Sequence, residues 1–287
     1  MLVSKKELLN LKLKSIRVDD LKELAAQSDI EARGSSSELI KKLIGLEQNA
    51  IDSFIKTKYQ EKVKERQRLI SDEELIKEVK KVTDFNWGVV QGQLDQKIQT
   101  EYVRKIYRYN DLISGVKNKL HNDVTSYVIA TWYNHWTTVL IEDHISLHSR
   151  VVPTLKNNFG VDIFFDNQPF DLKTTYLPRG YNLTEAIKSP QKLAIWMYEN
   201  QGAQRFGADN RLFIVLADEL NLDNSWKLKR NFDLVFNRIE KFFNDTKVTE
   251  KDEIIFTFKR KTYTTISKVL LITQKETQRT ERECQKQ

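Results

Sequence analysis

The chain holds one cysteine, four prolines and nine glycines in 287 residues, and each shortage narrows what it can be. The lone Cys284 excludes an internal disulfide and any cysteine-rich zinc site, which fits a reducing compartment. Few prolines and glycines predict long regular elements with few open loops. No run approaches the ~18 consecutive apolar residues of a membrane span. The start, Met1-Leu2-Val3-Ser4-Lys5-Lys6, lacks the apolar stretch of a signal peptide, so the expectation is a soluble intracellular protein without membrane contact. No glycine-rich phosphate loop is present, and no nucleotide cofactor is expected. His144 and His148 lie four apart on a predicted helix, but no third ligand at useful spacing and no HExxH glutamate accompany them, which argues against zinc.

What is present is aromatic and basic. Fourteen Phe, ten Tyr and five Trp within a 40% hydrophobic composition suffice for a packed core. A formal charge of +7 and a pI near 9.2 favour a polyanionic partner, nucleic acid before an acidic membrane surface.

Periodicity divides the chain into expected parts. Residues 1–46 read as a small helical unit, because Leu21, Leu24 and Ala25, then Leu39, Ile40, Leu43 and Ile44, recur at helical spacing around a Gly34 turn. Residues 47–84 read as a charged helical connector facing water, restarted at Ser71-Asp72-Glu73-Glu74. From Phe85 the aromatic content rises, and residues 85–273 are expected to form the main domain, followed by a polar tail, 274–287. In that domain Ile129, Trp132, Tyr133, Trp136, Val139 and Leu140 mark a helical stripe expected to pack on a sheet. Helices over 190–200 and 226–244 and strands at Arg211–Ala217, Ile254–Phe258 and Ile266–Ile272 complete a mixed α/β order, a central sheet flanked by helices.

The chemistry concentrates in Val161–Thr175. Two apolar runs flank Asp166-Asn167-Gln168-Pro169, a predicted hairpin turn. Alternation puts Val161, Ile163, Phe165, Phe170 and Leu172 on one side, and Asp162, Asp171 and Lys173 on the other. A four-residue turn would set Phe165 opposite Phe170 and Asp162 opposite Lys173. Two carboxylates and an ammonium on an otherwise core-like hairpin are costly to bury unless they bind something, and the set suits a divalent metal with an activated water.

Asp162, an eight-residue gap and then Asp171-Leu172-Lys173 resembles the active-site signature of the PD-(D/E)xK nucleases, the superfamily of many type II restriction endonucleases. Val161 stands where the name-giving proline would be, and that proline is no ligand. The resemblance implies a restriction-endonuclease-like core over roughly residues 120 to 275. It implies Mg²⁺, replaceable by Mn²⁺, held by Asp162, Asp171 and the Leu172 carbonyl, with Lys173 beside it. Whether Lys173 is the general base stays open. The superfamily often adds an acidic residue from the preceding helix; Glu142 is the choice, and its neighbour Asp143 differs by a helical step of ~100°, so one of the two should point inward. Double-stranded DNA is the implied substrate. Cutting both strands requires two sites and hence a homodimer, in a cytoplasmic, nucleoid-associated prokaryotic setting. A structure-specific repair nuclease of the Holliday-junction-resolvase type and a non-catalytic DNA-binding protein are the alternatives.

Val18–Ala25 and Ala32–Ile40 resemble a SAP domain, a short DNA-binding module of helix, extended loop and helix. That resemblance implies contacts to the DNA backbone from Arg33, Ser35, Ser36, Lys41 and Lys42. Near the expected catalytic strand, Arg179, Tyr181 and Asn182 form a loop suited to DNA contact, and Arg205 and the Lys227, Lys229, Arg230 cluster are further candidates.

Overall fold

The structure, a computed structural model, describes residues 2–83, 91–156, 160–200 and 209–274. The expected domain start at Phe85, the candidate Arg205 and the tail from 275 onward, with Cys284, lie outside the described residues. The chain is mixed α/β. No described helix is long and apolar enough to cross a membrane.

By their contacts the residues fall into two compact units, 1–69 with 141–287, and 70–140. This division differs from the expected breaks at 46/47 and 84/85, and the reason is hydrophobic. Helices α1 (Lys5–Lys14), α2 (Val18–Gln27) and α3 (Ser36–Leu43) bury Leu13, Ile16, Leu21 and Leu39 together with Ile51, Phe54, Ile55, Tyr59 and Val63 of α4 (Gln48–Gln67). Val152, Leu155 and Phe164 close the same core, so the first half of the expected connector is a packing helix and the N-terminal helices are part of the larger unit.

A sheet of six described strands runs in the order β1-β2-β3-β4-β6-β5. Its strands are β1 (Val151–Pro153), β2 (Ile163–Phe165), β3 (Gln168–Tyr176), β4 (Arg211–Asp218), β5 (Glu253–Phe258) and β6 (Lys261–Gln274). β3, β4 and β6 are parallel, whereas β1 and β2 on one side and β5 on the other pair antiparallel. Every residue of β4 is buried, as expected of a central strand covered on both faces. α10 (Pro190–Asn200) covers β4, β5 and β6 with Leu193, Ala194, Met197 and Tyr198. Phe165 packs edge-on against Phe243 of α12 (Phe232–Asp245). The helix expected over 226–244 is broken: α11 (Ser225–Leu228) ends before α12 begins, and Asn231 caps α12 through Leu234 N.

The hairpin turn has two residues, not four. Asp166 and Asn167 both take positive φ (47° and 62°), the geometry of a tight turn whose twist matches the strands it joins. The register becomes Phe165 with Gln168, Phe164 with Pro169 and Ile163 with Phe170. Relative to the expectation the pairing slips by an even number of residues, so the side each residue faces is unchanged while its opposite partner changes. The ladder ends at Ile163 with Phe170, and the Asp162 amide donates to the Phe170 carbonyl (2.9 Å), so the expected pairing of Asp162 with Lys173 is not formed. Arg150 fixes the tip: one terminal nitrogen donates to Asp166 Oδ1 (2.6 Å), the other to the carbonyls of Phe243, Asn244 and Thr246 at the end of α12.

Residues 70–140 hold α5 (Asp72–Lys80), α6 (Gln91–Lys97), α7 (Tyr109–Gly115) and the first part of α8 (His121–Leu147). α5 opens on a capping box between Ser71 and Glu74. Along α8 the buried positions are Tyr133, Thr137, Leu140, Ile141, Ile145 and Ser146, while Ile129 and Trp132 are exposed and Trp136 is half-buried. The expected stripe is therefore displaced around the helix, because polar Thr137 takes an inward position by bonding back to the Tyr133 carbonyl.

Candidate active site

The central strand pair builds the site. β3 and β4 are parallel with Asp171 beside Arg211 and Lys173 beside Phe213, so these four side chains leave the same face. Just ahead of β2 the Asp162 carboxylate turns toward β3, where the Leu172 amide donates to its Oδ2 at 2.7 Å. That bond ties the carboxylate ahead of the hairpin to the main chain between Asp171 and Lys173, leaving the outer side of Asp162 open to solvent. Burial of its inner side pushes the Asp162 carboxyl up to about 6; Asp171 pushes the same way, and the Leu172 amide and Arg211 oppose it.

Glu142 enters this charge cluster from α8. Burial and the Asp162 charge push its carboxyl up to about 7, with Lys229 pulling the other way. Asp143, one residue on, faces elsewhere: its oxygens take the Tyr59 hydroxyl (2.8 Å) and Arg66 Nε (3.1 Å), which anchors α4. The helical step thus sends one acid to the site and the other to the scaffold, and the inward one is Glu142. Asp209 adds a further carboxyl raised by burial, opposed by Arg211 and reinforced by Asp171.

Two cations answer these acids. Arg211, 7% exposed, approaches Asp171 Oδ2 through Nε at 3.0 Å, an ion pair and not a directed hydrogen bond. Lys229 follows α11, is 4% exposed, and burial lowers its ammonium to about 8 against the pull of Glu142. This corrects the expectation that Lys229 contacts DNA. Trp226 and Leu228, just ahead of it, are buried as well, and the run Lys227-Leu228-Lys229-Arg230 turns Lys229 inward. Interleaved large apolar residues in a basic run were the available signal. Lys173, by contrast, is exposed and makes no ion pair among the described residues.

The acids fit a hard divalent cation by their donor chemistry. Burial first, and then neighbouring negative charge (Asp162 for Glu142, Asp171 for Asp162), raises both carboxyl values, and a dication would favour their charged forms. Mg²⁺ needs only one or two carboxylates from the protein. Among the described residues no three His, Cys, Asp or Glu side chains are already gathered around one point as ligands.

The remaining candidates scatter. Ser35 is the N-cap of α3 and exchanges bonds with Glu38 in a capping box, so its hydroxyl is engaged within the helix start; Ser36 is half-buried beside it. Gly34, at φ 126°, makes that entry possible. Lys42 folds back on Glu31 and on the Arg33 carbonyl, while Arg33 and Lys41 stand exposed. Beyond β3, Asn182 caps α9 (Leu183–Lys188) through Glu185 N, Tyr181 packs edge-on against Trp196, and Arg179 is exposed with Asp223 at 3.9 Å. Lys227 and Arg230 both lie over the Trp226 ring. Glu240 of α12, which helical spacing alone did not connect to the histidines, lies 3.0 Å from His144 Nε2 and 3.5 Å from His148 Nε2.

Comparison of the chain with protein-family models, with curated proteins and with solved structures finds no match.

Proposed function

We propose that the chain is a divalent-metal-dependent DNA endonuclease of the PD-(D/E)xK kind, in its most specific form a type II restriction enzyme. The observation that carries the reading is Asp162, held by the Leu172 amide on the strand that carries Asp171, with Lys173 two residues along the Asp171 face and without an ion pair among the described residues; Glu142 lies near enough to feel the Asp162 charge. Asp162, Asp171 and the Leu172 carbonyl would hold Mg²⁺, and Mn²⁺ by the same chemistry. The bound ion would supply charge neutralisation at the phosphate and a more acidic water. Lys173 keeps its ammonium available for an incoming phosphate, because among the described residues no carboxylate pairs with it. Arg211 steadies Asp171, and the Leu172 amide fixes Asp162, so the two acids are oriented by the protein itself. Exposed Arg33, Lys41 and Arg179 are the cations left for the DNA backbone. Two such chains, one per strand, make a duplex cutter.

Supercoiled plasmid incubated with Mg²⁺ or with EDTA tests this. Cutting is expected only with Mg²⁺, in discrete bands, and Asp171→Asn should lower it by ~100-fold or more. A smear would replace restriction with unspecific cleavage. Plasmid left intact by folded protein would refute the nuclease.

One observation favours a second reading, a non-catalytic DNA-binding protein. The Arg211 guanidinium already partners Asp171, as a resident cation would. Metal-independent DNA binding, unchanged in Asp171→Asn and without cleavage, would select it.

A further inference from the structure

Residues 70–140 carry a surface that the carboxylate site does not use. From Tyr102 to Tyr109 the chain reads Tyr-Val-Arg-Lys-Ile-Tyr-Arg-Tyr, with three cations and no acid. Tyr107 is 93% exposed and Tyr109 is 73% exposed, each among the most open large side chains of the molecule. Arg104, Lys105 and Arg108 are exposed with them and make no ion pair among the described residues.

The backbone beneath these side chains is braced. Tyr102 is buried, and its ring and Ile106 lie so close to Gly115 that a Cβ there would meet them at 3.4 and 3.5 Å. Arg104 N donates to the Gln99 carbonyl, Ile106 N to that of Tyr102 and Leu112 N to that of Arg108. Tyr102 and Ile106 therefore pin the corner from inside, while the two outer tyrosines stand in solvent. Aromatic rings left in water cost free energy that burial would recover, so an exposed pair on a fixed corner marks a contact surface.

We propose that this corner grips single-stranded nucleic acid, with Tyr107 and Tyr109 stacking on unpaired bases and Arg104, Lys105 and Arg108 meeting the phosphates. Interleaved rings and cations match a ligand that is both planar and polyanionic. A duplex offers the cations its phosphates but keeps its base faces closed to the rings. Tyrosine suits the task because it presents a large ring with few rotatable bonds. The grip stands apart from the cleavage reading, since it needs neither the carboxylates nor a metal.

The test is fluorescence anisotropy of the full chain in EDTA with labelled oligothymidylate, oligouridylate and a DNA duplex. Either single strand should bind more tightly than the duplex, and the two strands tell DNA from RNA as the source. The double substitution Tyr107→Ala/Tyr109→Ala should weaken single-strand binding by ~10- to 100-fold, and Tyr107→Phe/Tyr109→Phe should preserve it. Arg104→Ala/Arg108→Ala should instead flatten the dependence of log affinity on log salt by about one to two. Unchanged circular dichroism and melting temperature establish that each variant folds. Equal affinity for strand and duplex, tyrosine truncation without effect, or binding only to phosphatidylserine vesicles would overturn the grip. A chain that cuts plasmid and yet fails here loses the grip alone. One that passes here and cuts nothing loses the nuclease reading alone.

Discussion

Two hairpins in this molecule close in the same way and live in different surroundings. Asp166-Asn167 joins β2 to β3, Lys259-Arg260 joins β5 to β6, and all four residues take positive φ. β5 alternates, with Ile254 and Phe256 buried and Ile255 61% exposed, the pattern of a strand with one face in water. β2 is buried at each of its three residues, Phe164 against the N-terminal helices and Phe165 against α12. Charge at the edge of the second hairpin is therefore ordinary solvation. Carboxylates flanking the first are met by the Leu172 amide and Arg211, and burial still raises the values of Asp162 and Glu142. Local geometry is shared; what differs is how much of each strand water can reach.

The contrast can be broken by packing. Phe165→Ala should lower unfolding free energy by ~3–5 kcal/mol, whereas Ile255→Ala on the other hairpin should stay within ~0.5 kcal/mol. Urea denaturation of both variants measures the gap, and similar losses would show that the two hairpins are equally buried.

A second expected effect is electrostatic. Glu142 loses its proton near its ordinary carboxylate value when unfolded, but only near 7 in the folded protein. The folded state thus favours the protonated acid, and the stability this gives is complete at low pH and is lost as pH rises through 7. Glu142→Gln should hold that stability, so its melting temperature should pull ahead of the parent between pH 4.5 and 7. The gain should reach ~1–2 kcal/mol after screening by solvent. A difference independent of pH would remove Glu142 from the charged cluster.

The smallest expected effect sharpens the likeness of the two turns. Arg260 holds φ 64° with a full side chain, so Arg260→Gly should stabilise by ~0.5–1 kcal/mol. Asn167→Gly should change less, since asparagine tolerates that conformation better. Differential scanning calorimetry distinguishes the two.

How far the sequence revealed this can be traced residue by residue. The sides of β2 and β3 were legible because alternation survives any even slip in register. The partner of Asp162 was not, because Gln168 and Pro169 look like turn residues while the turn is set by which residues accept positive φ. Pro169 lies near the start of β3, where a missing N–H is tolerated. β4 announced itself through an unbroken apolar run. β1, three residues long, carries too little pattern to be seen and exists because β2 offers it an edge. The choice between Glu142 and Asp143 needed Tyr59 and Arg66, partners more than seventy residues away in the chain. Lys229 was misplaced because a basic run is normally solvated, and here two buried neighbours carried it inside.

The guanidinium of Arg150 binds the hairpin tip and the end of α12 at once, joining segments that synthesis delivers nearly a hundred residues apart. A peptide copied from the signature region would lack that brace and should wander among registers. The bridge itself can close only once the later helix has been made and has docked, so the tip gains its full support late.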